Sequence, residues 1–241
     1  MQLPFTPEQF FEVFRQYNLA VWPAQWGLYA VACVALVLAL RGGRLSSRVV
    51  SATLALLWLW MAMAYHIIFF THINTAAYAF GALFALQAAL FAVFGVWHER
   101  LQFRAQRNLA GVSGGLLAVF ALVLYPLLGT AFGHSYPAAP TFGLPCPTTV
   151  FTFAMLLWAW PSVPRALLII PILWAVVGTS AAALLGVPED FGLPVAAVVA
   201  VLVLWPKAPR LVRRRDVAWP APSVRPAVGR VRRDQSRPAE Q

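Results

Sequence analysis

The sequence contains few charged residues for its length. Of its 241 residues, 11% are charged and 61% are hydrophobic, and the mean hydropathy is +0.71. A soluble domain carries about a quarter charged residues, so this chain lacks the polar side chains needed to cover a globule. The composition excludes an ordinary soluble domain and indicates an integral membrane protein.

Cysteine is also scarce, and no cleavable leader is visible. The two cysteines cannot form a disulfide framework. Cys33 lies within an apolar run and Cys146 in a loop, so we expect no bridge between them. Residues 1–20 lack an apolar stretch ahead of a small-residue cleavage site, so we predict no signal peptide.

Seven near-continuous uncharged runs fill most of the chain. Each is close to the 17–25 or so residues that a membrane helix requires. Helices are expected because an isolated strand would leave its backbone unbonded in hydrocarbon. The sequence therefore predicts an all-α polytopic membrane protein with about seven transmembrane helices. The runs cover residues 22–40, 49–70, 75–97, 108–132, 142–160, 166–187 and 191–205.

The net charge of +10 is distributed unevenly along the chain. Every basic residue except Arg15 follows an odd-numbered run, and cytoplasmic loops are enriched in Lys and Arg. The N-terminus is thus predicted outside and the C-terminus inside, in a plasma membrane such as the bacterial inner membrane. No folded nucleic-acid-binding module accompanies the charges, so we expect no nucleic-acid partner.

Three regions follow from these patterns. Residues 1–20 form a short amphipathic helix, with Thr6 as the N-cap, Pro7 at the first position and Gln9 three residues after the cap. This helix either anchors to the outer surface or packs over the mouth of the bundle as a lid. Residues 21–206 form the transmembrane domain. Residues 207–241 form a basic, disordered cytoplasmic tail that contacts anionic lipid headgroups.

The uncommon polar residues collect at the predicted outer side. They come from the end of the second run and from the two later outer loops, and polar groups at membrane depth are costly enough to suggest a function. We therefore predict an outward-facing polar pocket. Its predicted lining is Tyr65, His66, His72, Asn74, His134, Tyr136, Cys146, Thr148, Glu189 and Asp190.

The loop at residues 133–149 is the most unusual segment because it is rich in proline and glycine. A helix starting near Pro147 has only about 14 residues before Pro161, which is short of the bilayer core. Part of residues 142–146 is then expected to enter the membrane as irregular backbone, surrounded by protein or a water-filled cavity. The free N–H groups at this helix start favour a Cys146 thiolate or a bound anion.

Several functions are compatible with this pocket. His72, His134 and Cys146 are candidate ligands of zinc or monovalent copper. The pocket could instead bind a small polar or anionic solute, as broken-helix transporters do. Pro-Cys-Pro could also be only a rigid loop.

We expect a small-solute or metal-ion transporter or binder rather than an enzyme. Cys146, His134 and Asp190 could be written as a catalytic set, but no local motif supports it, so we assign no catalytic residue. A membrane enzyme that uses Cys146 or a metal, and a structural or signalling component, are the alternatives.

Several motifs resemble a bacterial family of uncharacterised multi-pass membrane proteins. This domain of unknown function is sometimes labelled a permease of the major facilitator type, although seven spans fit twelve-span transporters poorly. The resemblance implies the seven-span fold and no particular mechanism. It rests on residues 5–11, 22–25, 65–66, 74–77, 133–137, 141–153 and 189–190, of which Gly-Leu-Pro-Cys-Pro-Thr-Thr is the most specific.

Overall fold

The computed structural model describes residues 4–204, and these are mostly helical. Two short β-strands, two 3₁₀ turns and several wider π-helical turns interrupt or extend the helices. The α-helices are α1 Pro7–Ala20, α2 Ala24–Arg41, α3 Arg44–Trp60, α4 Ala77–Phe91, α5 Leu109–Val119, α6 Tyr125–Ala131, α7 Pro145–Leu157, α8 Ala166–Leu185 and α9 Gly192–Leu204. The π-helical turns are Met61–Ile67 after α3, Ala92–Trp97 after α4, and Phe120–Leu124 between α5 and α6. The 3₁₀ turns are Phe70–His72 and Pro188–Phe191, and β1 Gln102–Phe103 pairs with β2 Ala159–Trp160.

Within residues 4–204, five helical segments are long and apolar enough to cross a membrane, judged by length and composition. They coincide with the first four and the sixth of the predicted apolar runs, and α9 follows the seventh run to Leu204, where the described residues end. Large apolar side chains are exposed along these segments, and an exposed apolar surface of this extent suits lipid rather than water. The five segments are Ala24–Arg41, Arg44–His72, Ala77–Trp97, Leu109–Ala131 and Ala166–Leu185.

Helix α7 is the short helix that the sequence predicts within the fifth apolar run. It has 13 residues, which at 1.5 Å per residue gives about 20 Å, and 12 of them are buried. It packs against α5, α8 and α9. Phe142 and Leu144, which precede it without helical structure, are also buried. Irregular backbone is thus packed within the bundle before α7, and its entry into a membrane stays a prediction. The helix begins at Pro145, two residues before the expected Pro147.

The arginine-rich loops meet at one end of the bundle. The strand pair β1–β2 joins the loop after α4 to the loop after α7. The Phe103 amide donates to the Ser47 hydroxyl at 2.9 Å, which ties in the start of α3. The Arg44 side chain contacts Glu99, again linking the loops after α2 and α4. We call this the arginine end. Its basic residues are Arg41, Arg44, Arg48, Arg100, Arg104, Arg107 and Arg165.

Helix α1 covers the opposite end of the bundle. It begins with the predicted capping box, in which Thr6 and Gln9 each accept a hydrogen bond from the other's backbone. Its aromatic face is buried against the bundle, with Phe10, Phe14 and Tyr17 at most 7% exposed. Of the two interpretations of this segment, packing over the mouth is the one that the contacts match. The predicted tail at residues 207–241 lies outside the described residues.

Candidate functional site

A cavity of about 580 Å³ lies between α1, the segment after α3, the start of α7 and the C-terminal half of α8. Ligand pockets usually measure about 300–1,000 Å³, so this one fits a small molecule. Its walls include Val176 and Leu184, which are more than half exposed, so the cavity reaches the outer surface of the bundle along α8. Four of the ten predicted pocket residues line it: Tyr65, Asn74, Cys146 and Asp190.

Asp190 and Cys146 form the polar part of the cavity wall. Asp190 is held by the 3₁₀ turn Pro188–Phe191, and its carboxyl accepts a hydrogen bond from the Tyr125 hydroxyl. The Cys146 thiol lies beside the same carboxyl at the start of α7. Burial raises the pKa of Asp190 from 3.8 to about 7, and the Tyr125 and Cys146 contacts oppose this shift. Asp190 can therefore change its charge near neutral pH.

His134 and Glu189 form a pair directly beside this wall. His134 Nδ1 lies 2.8 Å from Glu189 Oε1, and their side chains are 16% and 0% exposed. The Phe11 ring of α1 packs over the imidazole with the ring centroids 4.7 Å apart. The second carboxylate oxygen of Glu189 is buried and has no hydrogen-bond partner in the described part of the chain. This pair does not line the cavity, and it fixes the loop that carries Asp190.

Asn18 ties α1 to the proline-rich loop, and the sequence analysis missed it. Its amide donates to the Pro137 and Ala139 carbonyls at 2.7 and 2.8 Å and accepts from the Thr141 hydroxyl at 2.6 Å. Its own carbonyl accepts from the Gln25 side chain at 2.8 Å. A polar residue within the otherwise aromatic buried face of α1 was the available signal.

His66 lies in a layer of aromatic rings behind the cavity. It is fully buried, and neither ring nitrogen has a hydrogen-bond partner among the described residues. The Phe84 and Trp174 rings lie 4.5 and 5.2 Å from it, centroid to centroid. Trp174 and Phe80, which also touch His66, line the cavity while His66 does not. The cavity therefore ends above His66 in this conformation.

Three further predicted residues lie away from the cavity. His72 is exposed. It comes seven residues after Tyr65, so regular α-helical spacing would place both on one face, but π-helical turns widen the helix after Trp60 and the chain leaves it at Ile67. Tyr136 is 49% exposed and packs against Trp22. Thr148 is buried, and its hydroxyl accepts from the Gly143 amide at 3.0 Å.

The structure does not assemble the predicted metal ligands. Among residues 4–204, no group of three or more His, Cys, Asp and Glu side chains is arranged to hold a metal ion. His72 is exposed to solvent, His134 contacts Glu189, and Cys146 faces Asp190. The three residues lie apart because His72 is on the surface, His134 is beside Glu189, and Cys146 is in the cavity wall.

The same contacts argue against nucleophilic catalysis by Cys146. A catalytic cysteine needs a base within hydrogen-bonding reach, and His134 is instead paired with Glu189. The partly accessible thiol faces a carboxyl and a largely apolar cavity, which do not favour a thiolate. The expected anion site at this helix start therefore faces an acidic side chain.

The sequence was compared with known families and proteins. Residues 7–214 match a family of unknown function, DUF6064. The chain belongs to the DUF6064 family. The match includes α1, the proline-rich loop and the Glu189–Asp190 turn, so the cavity of this DUF6064 member lies almost wholly within the shared region. No curated protein matches the chain, and no solved structure matches it. The resemblance to an uncharacterised family is thereby confirmed, and an activity has to be argued from the cavity.

Proposed function

We propose that this protein is a multi-pass membrane protein that binds a small solute in the cavity beneath α1. The observation that carries the proposal is the cavity itself. It has the volume of a small-molecule site, an apolar wall, and a few convergent polar groups supplied by Cys146, Asp190 and Tyr65. A cavity of this size beside a buried carboxylate is costly to keep in a tightly packed helix bundle, which supports a role in binding.

The membrane placement is part of the proposal. We infer seven crossings, in which α7 and the irregular residues before it complete the fifth and α9 begins the seventh. The arginine end then faces the cytosol and the α1 end faces outward. The exposed Trp97 and Trp160 at the arginine end, and the exposed Trp22 and Trp26 at the α1 end, suit the two interfaces of a bilayer.

The accessibility of Cys146 tests directly whether the cavity exists and on which side of the membrane it opens. In a Cys33→Ser background, Cys146 is the only thiol, and two membrane-impermeant methanethiosulfonates, one cationic and one anionic, report its accessibility. We expect modification in right-side-out membrane vesicles. Ser135→Cys, an exposed site in the outer loop, is the positive control in a Cys33→Ser, Cys146→Ser chain. If neither reagent modifies Cys146 in folded protein, although both do so after denaturation, the proposed site does not exist.

Inverted vesicles separate a binding protein from a transporter. The cavity ends above His66, so a binding protein keeps Cys146 inaccessible from the arginine end. A transporter must also visit a conformation open to that end. Modification of Cys146 from both sides would therefore assign transport to this chain, and modification from the outer side alone would assign binding.

A further inference from the structure

The cavity wall combines many aromatic rings with one ionisable carboxyl group. Aromatic rings from α1, the segment after α3, α4 and α8 line it, including Phe10, Phe14, Phe70 and Trp174. Aromatic faces attract cations, and desolvated cation–π contacts are stronger than exposed ones. Among the described residues of the lining, Asp190 is the only one with a charged side chain, and no lysine or arginine contributes to the wall.

Asp190 lacks a cationic partner of its own within residues 4–204. The adjacent Glu189 is paired with His134, whereas the hydrogen-bond partners of Asp190 are the Tyr125 hydroxyl and the Cys146 thiol. Buried charges are normally paired, because an isolated carboxylate is expensive to desolvate. The partner that an ionised Asp190 needs can reach it from the cavity.

A second polar group in the wall has only a weak partner. The Trp174 indole N–H is buried, and among the described residues only the Cys146 sulfur, a weak acceptor, lies beside it. Trp174 and Cys146 approach Gly178 from the same side, within 3.6 Å of the position that a Cβ there would occupy. The indole therefore lies next to the carboxyl-bearing wall.

We propose that the cavity binds a small organic cation, whose ammonium group faces Asp190 and whose apolar body packs among the aromatic rings under α1. The proposal rests on the proposed function and names the ligand class of that site. The exposed edge of the cavity along α8 gives such a molecule an entrance, and its apolar body prefers the aromatic interior to water. Amines and quaternary ammonium compounds with one aryl or alkyl group fit this description.

A small set of groups around Asp190 determines how its charge, and so the charge of the cavity wall, depends on pH. Tyr125 from α6, Cys146 from α7, Tyr65 from the turn after α3, and Glu189 with His134 surround Asp190. Cation binding requires an ionised carboxyl, so affinity increases as pH rises through the pKa of Asp190, about 7. A quaternary ammonium ligand does not titrate, so its pH dependence reports on the protein.

The test uses the full chain in detergent and four probes of similar shape. These are benzyltrimethylammonium, benzylamine, the neutral benzyl alcohol and the anionic phenylacetate. Binding is measured by calorimetry and by protection of Cys146 from alkylation. We expect both cations to bind with a Kd at least about tenfold lower than that of the other two probes. Asp190→Asn removes this preference and the pH dependence, and leaves benzyl alcohol binding unchanged.

The comparison of cationic, neutral and anionic probes on the wild-type protein tests the ligand class even if Asp190→Asn folds poorly. Glu99→Gln, at the arginine end, is the matched control and should change nothing. Binding of benzyl alcohol or phenylacetate equal to that of the cations would overturn the ligand class and leave the binding function standing. Failure of all four probes to bind or to protect an accessible Cys146 would overturn the ligand class, and an inaccessible Cys146 would overturn both proposals.

Discussion

The two ends of the bundle use the same kinds of polar residue in opposite ways. At the arginine end, the Arg44–Glu99 pair is largely exposed, with side chains 82% and 24% accessible. At the α1 end, His134–Glu189 and Tyr125–Asp190 are buried. Exposed pairs contribute little to stability, whereas a buried group without its partner is expensive. The α1 end is therefore where loss of a polar side chain should disturb the fold most.

The largest difference in stability between the two ends is expected when one carboxylate is removed at each end. Glu189→Ala leaves His134 without its partner at a nearly buried site and should cost about 3–5 kcal/mol of stability. Glu99→Ala should leave the unfolding temperature close to that of the wild type. Thermal unfolding in detergent, followed by tryptophan fluorescence, compares the two variants. Equal shifts would show that the buried pair is no more important than the exposed one.

The second contrast compares two asparagines. Asn18→Ala leaves the Pro137 and Ala139 carbonyls and the Thr141 hydroxyl without partners, and should cost about 2–4 kcal/mol. Asn108→Ala at the arginine end removes one exposed N-cap bond to Gly111 and should cost about 1 kcal/mol. The Asn18 variant should also speed Cys146 alkylation, because α1 loses its tie to the loop. An alkylation rate unchanged from the wild type would argue against α1 as the cover.

A smaller contrast compares two glycines with positive φ. Gly143 has φ +99° and Gly43 has φ +102°, so alanine is strained at both positions. A Cβ at Gly143 would lie 2.4 Å from Leu28 Cδ1, whereas nothing lies within 4 Å at Gly43. Gly143→Ala should therefore cost about 1–3 kcal/mol more than Gly43→Ala. Equal unfolding temperatures would mean that Leu28 moves away without cost.

The last contrast concerns pH. The pKa of Asp190 is raised from 3.8 to about 7, so the folded state holds this proton more tightly than the unfolded state does. Its contribution is fully present below pH 3.8 and is lost as pH rises through 7. Glu99 has a lowered pKa because Arg44 bonds to it, so its contribution has the opposite sign and is lost as pH falls. Asp190→Asn should flatten the loss of thermal stability between pH 4 and 7, and an unchanged slope would assign that loss to other groups.

Much of the fold could be predicted because the bilayer imposes simple rules on sequence. The long apolar runs, the arginines between them and the capping box at Thr6 all correspond to observed features. The short α7 was predictable as well, since prolines favour a helix start near residues 145–147 and Pro161 follows its end. The side on which these features lie in a membrane remains a prediction.

The candidate site was predicted only in part. Tyr65, Asn74, Cys146 and Asp190 share one cavity, because three separate segments converge beneath α1. His72 was misplaced because its position was read from regular α-helical spacing, and sequence gave no sign of the π-helical turns. Asn18 was missed because its partners are backbone carbonyls 119 and 121 residues away.

The sequence by itself determined the class of protein, the apolar segments and the residues that group into loops, since these follow from local composition and chain length. Only the tertiary structure decided that α1 buries its aromatic face, that Glu189 pairs with His134 while Asp190 faces a cavity, and that no metal site forms among the described residues. The physical reason is that pairing between buried polar groups depends on which helix surfaces meet, and a shift of one or two residues along a helix turns a side chain to a different face.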